Sequence, residues 1–399
     1  MSRWIPKSSN PDPDPYSGPR PRGFPLGRFL GIPVYIDATW LIIFFLLSVA
    51  TSRYFREEYP LWLPVQHWFA GIVTCLLFFT CVFLHEMGHS VVARAFGIPV
   101  LSITLFVFGG VAQIRREPRK AWHEFFIAIA GPLTSVALGS CFFLVFFLIE
   151  GGIRPGANGP SMAGSILSSL GLINFMLAVF NMIPGFPLDG GRVLRSAVWA
   201  VSGRFDLATR VAAGMGVFIA YFFIAGGLYV AFFLGRTLDG VWIACIGAFL
   251  LFAARRSVMQ LATVRAMEGL CARDILEPNP LRVSAGMSVR SLVDGPVLRQ
   301  GFRTFIVEDN GTMRGLITMN EIKATQRDEW DVTPLQSIMI PAHRLAVAEP
   351  DAPLQVLMST MEARGLEHIP IVDGDRVVGM VSRDGVMRVL RNRMELDPR

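Results

Sequence analysis

One stretch of the sequence combines residue types that can hold a metal ion and move a proton. His85, Glu86 and His89 stand at HExxH spacing inside an apolar run from about residue 68 to residue 96. Positions i and i+4 lie on one face of a helix, so His85 and His89 can offer imidazole nitrogens to one metal ion. Glu86 lies about 100 degrees round the helix from His85, where it can accept a proton from an activated water. The spacing therefore predicts two ligands and a base.

The apolar setting of this motif favours a metal site. The run carries hardly a charged residue before His85, which is typical of a helix inside a bilayer. An ionisable residue at that depth costs about 3 kcal/mol, so such residues are retained for function. The alternative is that ordinary core residues match a short pattern.

A third ligand is required, because a catalytic zinc takes three protein ligands and keeps one position for water. Asp189 is the best candidate. It follows the end of another apolar run, where prolines break the helix and glycines let the backbone approach closely. The alternative is an ordinary Asp-Gly-Gly turn.

Composition identifies a multi-pass membrane protein. The chain has 399 residues, of which 52% are hydrophobic, and a mean hydropathy of +0.47. The net charge of +6 comes from basic residues that flank apolar runs, without the basic and aromatic stripe of a nucleic-acid binder. No nucleic-acid partner is therefore expected. The five cysteines lack CxxC spacing, which argues against a disulfide framework or a cysteine metal site.

The apolar runs predict about six transmembrane helices after a flexible N-terminal tail. The predicted spans are residues 32–50, 68–96, 122–149, 161–183, 211–234 and 241–254. The tail, the cluster at 115–120, the segment 192–210 and the stretch after 255 are rich in Arg and Lys. By the positive-inside rule both ends of the chain are expected in the cytoplasm, with the site nearer the cytoplasmic side.

Several segments between the spans carry further expectations. Residues 98–114 are rich in β-branched and aromatic residues and turn at a Phe-Gly-Gly, which predicts a hairpin beside the catalytic helix. Its edge could pair with an extended substrate, whereas the alternative is a plain surface loop. His67, His123 and Glu124 are predicted to lie at the membrane interface, and Gly131 belongs to a small-residue segment suited to close helix packing.

From about residue 270 the composition changes to that of a soluble domain with an internal repeat. The segments 305–308 and 315–318 match the segments 369–373 and 379–382. Each half is predicted to form strand, turn, strand and helix. The period of about 64 residues is too long for a solenoid, so the two copies predict a pseudo-symmetric α/β module.

The HExxH motif together with the segment 181–190 resembles the paired signature of the site-2 protease family of intramembrane zinc metalloproteases. The likeness covers roughly residues 30–255. It implies that His85, His89 and Asp189 bind zinc and that Glu86 is the base. It also implies that Asn181 and Asn174 help to polarise the substrate carbonyl.

The C-terminal repeats resemble a tandem pair of CBS domains, in which a Thr or Ser is followed three residues later by an acidic residue that holds the ribose of an adenosine nucleotide. Thr318 and Glu321 fit this pattern. In the second repeat Ser382 is followed by Asp384 at two residues. An adenosine nucleotide at the pair is therefore one expectation, and a structural or dimerising role is the other.

The predicted fold is a polytopic α-helical membrane protein with a C-terminal soluble α/β CBS-pair domain. The predicted parts are a tail at 1–30, an intramembrane metalloprotease domain at 31–262, and CBS repeats at 263–328 and 329–399. The predicted function is zinc-dependent cleavage within the transmembrane segment of a membrane protein in regulated intramembrane proteolysis, in the cell membrane, with a homodimer formed through the CBS domains. The alternative is a non-catalytic CBS-gated membrane transporter or metal sensor that keeps the motif. A membrane protease with a glutamate as third ligand is disfavoured, since no Glu lies in the spans after Glu150.

Overall fold

The computed structural model describes residues 23–107, 109–114, 117–151, 161–278, 280–300, 302–374 and 376–396. Most of the predicted tail, Phe108 of the predicted turn, Arg115 and Arg116 of the basic cluster, and the loop at 152–160 lie outside the described residues. The chain divides into two compact units, a membrane unit that ends at residue 261 and a C-terminal unit that begins at residue 262, and each is described by itself.

Six helices of the described chain are long and apolar enough to cross a membrane. They are α1 (Ala38–Glu58), α2 (Pro64–Ala95), α3 (Ala121–Glu150), α4 (Met162–Asn181), α6 (Phe205–Phe233) and α7 (Thr237–Met267), with the shorter α5 (Asp189–Ser202) between α4 and α6. The prediction of about six spans is confirmed. The predicted sixth span at 241–254 lies within α7, which begins at Thr237 and continues to Met267.

Local sequence signals explain where several of these helices begin and end. Asp37 caps α1 by accepting a hydrogen bond from the Thr39 backbone N–H at 2.9 Å. Pro64 occupies the first turn of α2, where its missing N–H costs nothing. Ser161 caps α4 in the same way as Asp37 caps α1. Gly151 ends α3 in the left-handed conformation that favours glycine.

A four-stranded sheet covers one side of the membrane unit. Its strands are β1 (Phe24–Phe29), β2 (Ile32–Ile36), β3 (Val100–Phe106) and β4 (Gly109–Ile114), in that spatial order, with only the β2–β3 pair parallel. The predicted hairpin is confirmed as β3 and β4. Two predictions are wrong: part of the expected flexible tail forms β1, and the first expected span begins with β2. Strong β-formers at 32–36 and pairing with β3 override the apolar run there.

The sheet packs onto α2 next to the HExxH motif. Ile32, Val34 and Ile103 form a buried cluster with Met87, which lies between Glu86 and His89 on the chain. Helices α2 and α3 also approach closely, since a Cβ placed on Gly88 would lie 3.0 Å from the Ala130 carbonyl oxygen. The motif is therefore enclosed by the sheet on one side and by α3 on another.

The C-terminal unit contains the predicted repeat. Its strands are β5 (Glu277–Pro278), β6 (Arg282–Ser284), β7 (Thr304–Asp309), β8 (Thr312–Thr318), β9 (Ile340–Pro341), β10 (His368–Asp373) and β11 (Arg376–Ser382). Its helices are α8 (Val289–Leu292), α9 (Leu298–Gln300), α10 (Met319–Ala324), α11 (Leu335–Ile338), α12 (Leu354–Arg364) and α13 (Arg383–Leu396), with a π-helical turn at Val293–Val297. The strand, turn, strand and helix order is confirmed as β7-β8-α10 and β10-β11-α13.

The two sheets of this unit exchange short strands between the repeats. One sheet has the order β6-β7-β8-β9 and the other β10-β11-β5, so each takes its last strand from the opposite predicted repeat. Thr304 and His368, the first residues of β7 and β10, are joined by a hydrogen bond of 3.0 Å. Fully buried side chains such as Phe305, Ile317 and Ile371 form the two cores, and each contributes about 1.5–3 kcal/mol.

Candidate metal centre

Helix α2 presents both histidines of the motif to the interior of the membrane unit. The residues His85 and His89 are each 4% exposed, and they lie one turn apart on the same helix face. Their Nε2 atoms lie 3.3 Å from each other. Both nitrogens therefore point toward one position, which is the arrangement that the HExxH spacing predicts.

The loop after α4 brings a carboxylate to the same position. Asp189 is the first residue of α5, and its Oδ2 lies 3.1 Å from Nε2 of His85 and 3.1 Å from Nε2 of His89. These residues form the group of His, Cys, Asp and Glu side chains, among the described residues, whose donor atoms converge closely enough to hold a metal ion. The chain separates His85 from Asp189 by 104 residues, so the fold creates this group.

The donor set fits a zinc ion. A tetrahedron with ligand bonds of about 2.0–2.1 Å has edges of about 3.3 Å, and the three donor separations here are 3.1, 3.1 and 3.3 Å. The other nitrogen of His89, Nδ1, lies 2.6 Å from the Ile127 carbonyl oxygen. A carbonyl only accepts, so Nδ1 must donate and Nε2 carries the lone pair that a metal requires.

Helix α3 supplies supporting contacts that the sequence analysis missed. Nδ1 of His85 lies 2.9 Å from the hydroxyl of Ser135, which is fully buried. Together with the Ile127 carbonyl, this hydroxyl fixes the orientation of both rings. A serine and a backbone carbonyl in an apolar helix carry no sequence signal that would distinguish them from packing residues, so only the packing of α3 on α2 reveals them.

Gly131 lets α3 approach the ligand nitrogens. A Cβ at this position would lie 2.6 Å from Nε2 of His85. We expect Gly131→Ala to weaken zinc binding by about tenfold or more, because the methyl group occupies the space that a ligand nitrogen needs. Zinc content after dialysis against a competing chelator measures the effect. Gly226→Ala in α6 is the matched control, since a Cβ there meets no atom within 4 Å. Unchanged zinc retention in Gly131→Ala would contradict this placement.

The predicted base lies between the metal ligands and the sheet. Glu86 follows His85 on α2, and its side chain lies against the backbone of β4 at Gly110 and Ala112. A Cβ on Gly110 would be 2.6 Å from Cγ of Glu86, so only glycine allows the strand to pass this close. The edge strand β4 therefore runs directly beside the predicted base.

The two asparagines predicted to assist the reaction lie on α4. Asn174 is fully buried, and its Nδ2 donates to the Leu170 carbonyl at 2.8 Å. Asn181 is half-buried at the end of α4, and its Nδ2 donates to the Leu177 carbonyl at 3.0 Å. Both amide nitrogens thus bond to their own helix, and a role of either residue toward a substrate stays a prediction.

Glu124, which was expected at the membrane interface, lies in the first turn of α3 and forms an ion pair with α5. Glu124 is fully buried on α3, and its Oε1 accepts a hydrogen bond of 2.6 Å from Nε of Arg195 on α5. His67, also expected at the interface, is 5% exposed, with Nε2 2.9 Å from the Tyr59 carbonyl. His123 stacks on Phe96 with ring centroids 4.4 Å apart.

The candidate nucleotide residues of the C-terminal unit are engaged in helix capping. The Glu321 carboxylate accepts from the backbone N–H of Thr318 at 2.8 Å and from its hydroxyl at 2.6 Å. Ser382 donates to Glu277 at 2.8 Å and accepts from the Gly385 N–H at 3.0 Å. Asp384 is exposed in the first turn of α13. Nucleotide binding by these residues stays a prediction.

Comparison with known proteins identifies the family of this chain. The profile described as Peptidase family M50 matches residues 73–159 and 152–225, and the CBS domain profile matches residues 336–392. A protein of Synechocystis sp. named as a zinc metalloprotease is 32% identical over 373 residues, which cover 92% of this chain and 95% of that protein. The chain belongs to peptidase family M50, the site-2 proteases.

Other relatives of this M50 peptidase carry similar names. Rip3 of Mycobacterium tuberculosis, named as a zinc metalloprotease, is 30% identical over 92% of each chain. A solved structure of the site-2 protease from Methanocaldococcus jannaschii is 28% identical with a TM-score of 0.42, covering 59% of this chain and 94% of that chain. The predictions of a zinc metalloprotease, of a multi-pass membrane protein and of a C-terminal CBS pair are confirmed.

Proposed function

We propose that this M50 peptidase cleaves a peptide bond within the transmembrane segment of a membrane protein, with zinc held by His85, His89 and Asp189. The observation that carries the proposal is the convergence of Nε2 of both histidines and Oδ2 of Asp189 within 3.1–3.3 Å. Both histidines lie on a helix long and apolar enough to span the bilayer. The substrate bond must therefore reach the site from within the membrane.

Glu86 is the residue that moves protons in this proposal. Zinc, when bound, supplies a Lewis acid that polarises the substrate carbonyl and lowers the pKa of water. The Glu86 carboxylate accepts the proton of the attacking water and passes it to the leaving amine. Asn181 and Asn174 are proposed to donate from the α4 side to the developing oxyanion, once their amide groups rotate away from the helix carbonyls.

The substrate must be extended at the cleaved bond, because a helical peptide bond is shielded by its own turn. Strand β4 is the last strand of its sheet, so among the described residues only one of its two edges pairs with another strand. Glu86 lies against β4 at Gly110, and the other edge of β4 is proposed to pair with an added strand. A substrate segment paired with β4 would pass the base in an extended conformation. Transmembrane segments with helix-weakening residues, in proteins already trimmed elsewhere, are the proposed substrate class, in regulated intramembrane proteolysis.

The CBS pair is proposed to regulate this activity through an adenosine nucleotide or through dimerisation. We propose that the protein lies in the cell membrane, with the N-terminus and the CBS pair in the cytoplasm. The Arg-rich segments before α1 and after residue 255 support this orientation by the positive-inside rule. Calorimetric titration with adenosine nucleotides tests the ligand. Sedimentation of the purified protein in detergent tests the homodimer, which a monomer mass alone would reject.

Chelation provides the first test of the proposed activity. Purified full-length protein in detergent is expected to cleave a tagged model membrane segment, to lose this activity on removal of zinc, and to regain it when zinc is restored. Product is measured by gel shift and its position by mass spectrometry. Cleavage that continues in the zinc-free protein, or cleavage only outside the membrane segment, would contradict the proposal.

A further inference from the structure

A buried ion pair joins α3 and α5, the helices that carry Ser135 and Asp189, and it takes no part in the proposed chemistry. Glu124 of α3 is fully buried and Arg195 of α5 is 7% exposed. Nε of Arg195 donates to Oε1 of Glu124 at 2.6 Å, and Nη2 contacts the same oxygen. Removing one partner of such a pair leaves an uncompensated buried charge, so the two residues are strongly coupled.

The α3 end of this pair belongs to the helix face that supports the histidines. Glu124, Ile127, Gly131 and Ser135 are all buried and recur at helical spacing on α3. Ile127 and Ser135 orient the two imidazoles, and Gly131 lies against their Nε2 atoms. Glu124 is thus fixed to the same rigid helix that positions two of the three ligands.

The α5 end of the pair is tied to the third ligand. Arg195 lies six residues after Asp189, so about 9 Å of the same helix separates them. The guanidinium of Arg195 also lies 5.1 Å from the ring centroid of Phe186, three residues before Asp189, and 4.7 Å from that of Phe205 at the start of α6. Arg195 therefore contacts the chain both before and after Asp189 in the sequence.

We propose that Glu124 and Arg195 are positioning residues for the metal centre, which set the place of Asp189 on α5 relative to the two histidines braced by α3. This inference rests on the proposed zinc site. Arginine suits the role because its planar group stacks on both rings while it donates to the carboxylate. Lysine would keep the charge and lose the stacking and the second nitrogen contact.

The test measures metal binding by the full-length protein and does not depend on a substrate. Glu124→Gln and Arg195→Lys are each expected to weaken zinc binding by about 10–100-fold in competition with a chromophoric chelator. The visible absorption of bound Co²⁺ is expected to change in shape, because one ligand is displaced. The double variant is expected to lose no more zinc affinity than whichever single variant binds zinc more weakly, since both residues act through one contact.

Two matched variants separate positioning from general stability. Glu117→Gln removes an exposed carboxylate 3.8 Å from the same guanidinium and is expected to bind zinc within about fivefold of wild type. Phe55→Leu alters a fully buried side chain that packs with α2 and α4, and it is expected to lower thermal stability while the Co²⁺ spectrum stays unchanged. Asp189→Ala reports on the proposed site itself.

The outcomes distinguish this inference from the proposed function. If wild type and Asp189→Ala bind zinc equally, the proposed site is wrong and the inference fails with it. If Asp189→Ala loses zinc while Glu124→Gln and Arg195→Lys keep wild-type affinity and spectrum, the positioning role alone is overturned. If Phe55→Leu changes the Co²⁺ spectrum as much as Glu124→Gln does, the pair acts only through stability, which also overturns the role.

Discussion

Replacing Glu86 by Gln is expected to reduce cleavage of a membrane-segment substrate by about 10²–10⁴-fold while zinc binding is retained. Glutamine has the size of glutamate but cannot accept the proton of the attacking water. The three donor atoms that define the candidate site belong to His85, His89 and Asp189, so the ligand set stays complete. Initial rates of product formation and zinc content of the same preparation measure the two effects.

Glu58→Gln is the matched control for this prediction, because Glu58 is exposed at the end of α1. It is expected to cleave at the wild-type rate. Activity within tenfold of wild type in Glu86→Gln would mean that another group serves as base. Loss of zinc together with activity would mean that the carboxylate supports the metal site instead.

The HExxH helix could be predicted from the sequence because all of its information is local. The spacing of His85 and His89 fixes their shared helix face, and the apolar run fixes the helix. Asp189 could be predicted from the sequence for a different reason. It stands where prolines and glycines end an apolar run, and a lone carboxylate there needs a partner. The 3.1 Å distances to both histidines, however, come only from the fold.

Strand pairing explains where the sequence prediction of the fold failed. Residues 32–36 are apolar and continue into the run of α1, so periodicity alone does not separate strand from helix. The separation comes from the capping residue Asp37 and from parallel pairing of β2 with β3, about 70 residues later in the chain. The β1 strand likewise exists through its antiparallel pairing with β2.

The buried ion pair of Glu124 was not predicted from the sequence. A glutamate beside a basic cluster at the start of an apolar helix is typical of the membrane interface. Its actual partner, Arg195, lies 71 residues away on a helix that is neither apolar nor long enough to span the bilayer. Long-range charge pairs leave no local pattern, so the burial of Glu124 could not be read from its neighbours.

Replacing Asp189 by Ala is expected to weaken zinc binding by more than about 100-fold and to abolish cleavage. Its Oδ2 is the atom on which both imidazole nitrogens converge at 3.1 Å, so alanine removes the negatively charged member of the donor set. Loss of a residue that merely supports a ligand already costs about 10–100-fold in metal affinity, and a ligand should cost more. Equilibrium competition with a chromophoric chelator measures the affinity.

Asp189→Glu and Asp239→Asn complete this experiment. Glutamate keeps the carboxylate on a longer side chain, so Asp189→Glu is expected to retain zinc more tightly than Asp189→Ala. It is expected to cleave more slowly than wild type, because a shift of about 1 Å at a reacting centre can lower the rate 10²-fold. Asp239 also lies in the first turn of a helix, where it pairs with Arg236 at 2.8 Å, and its replacement by Asn is expected to leave zinc and activity unchanged. Wild-type zinc affinity in Asp189→Ala would show that the metal is held elsewhere. Since α5 begins at this residue, a loss of zinc without a loss of helix content would assign the effect to the carboxylate rather than to the fold.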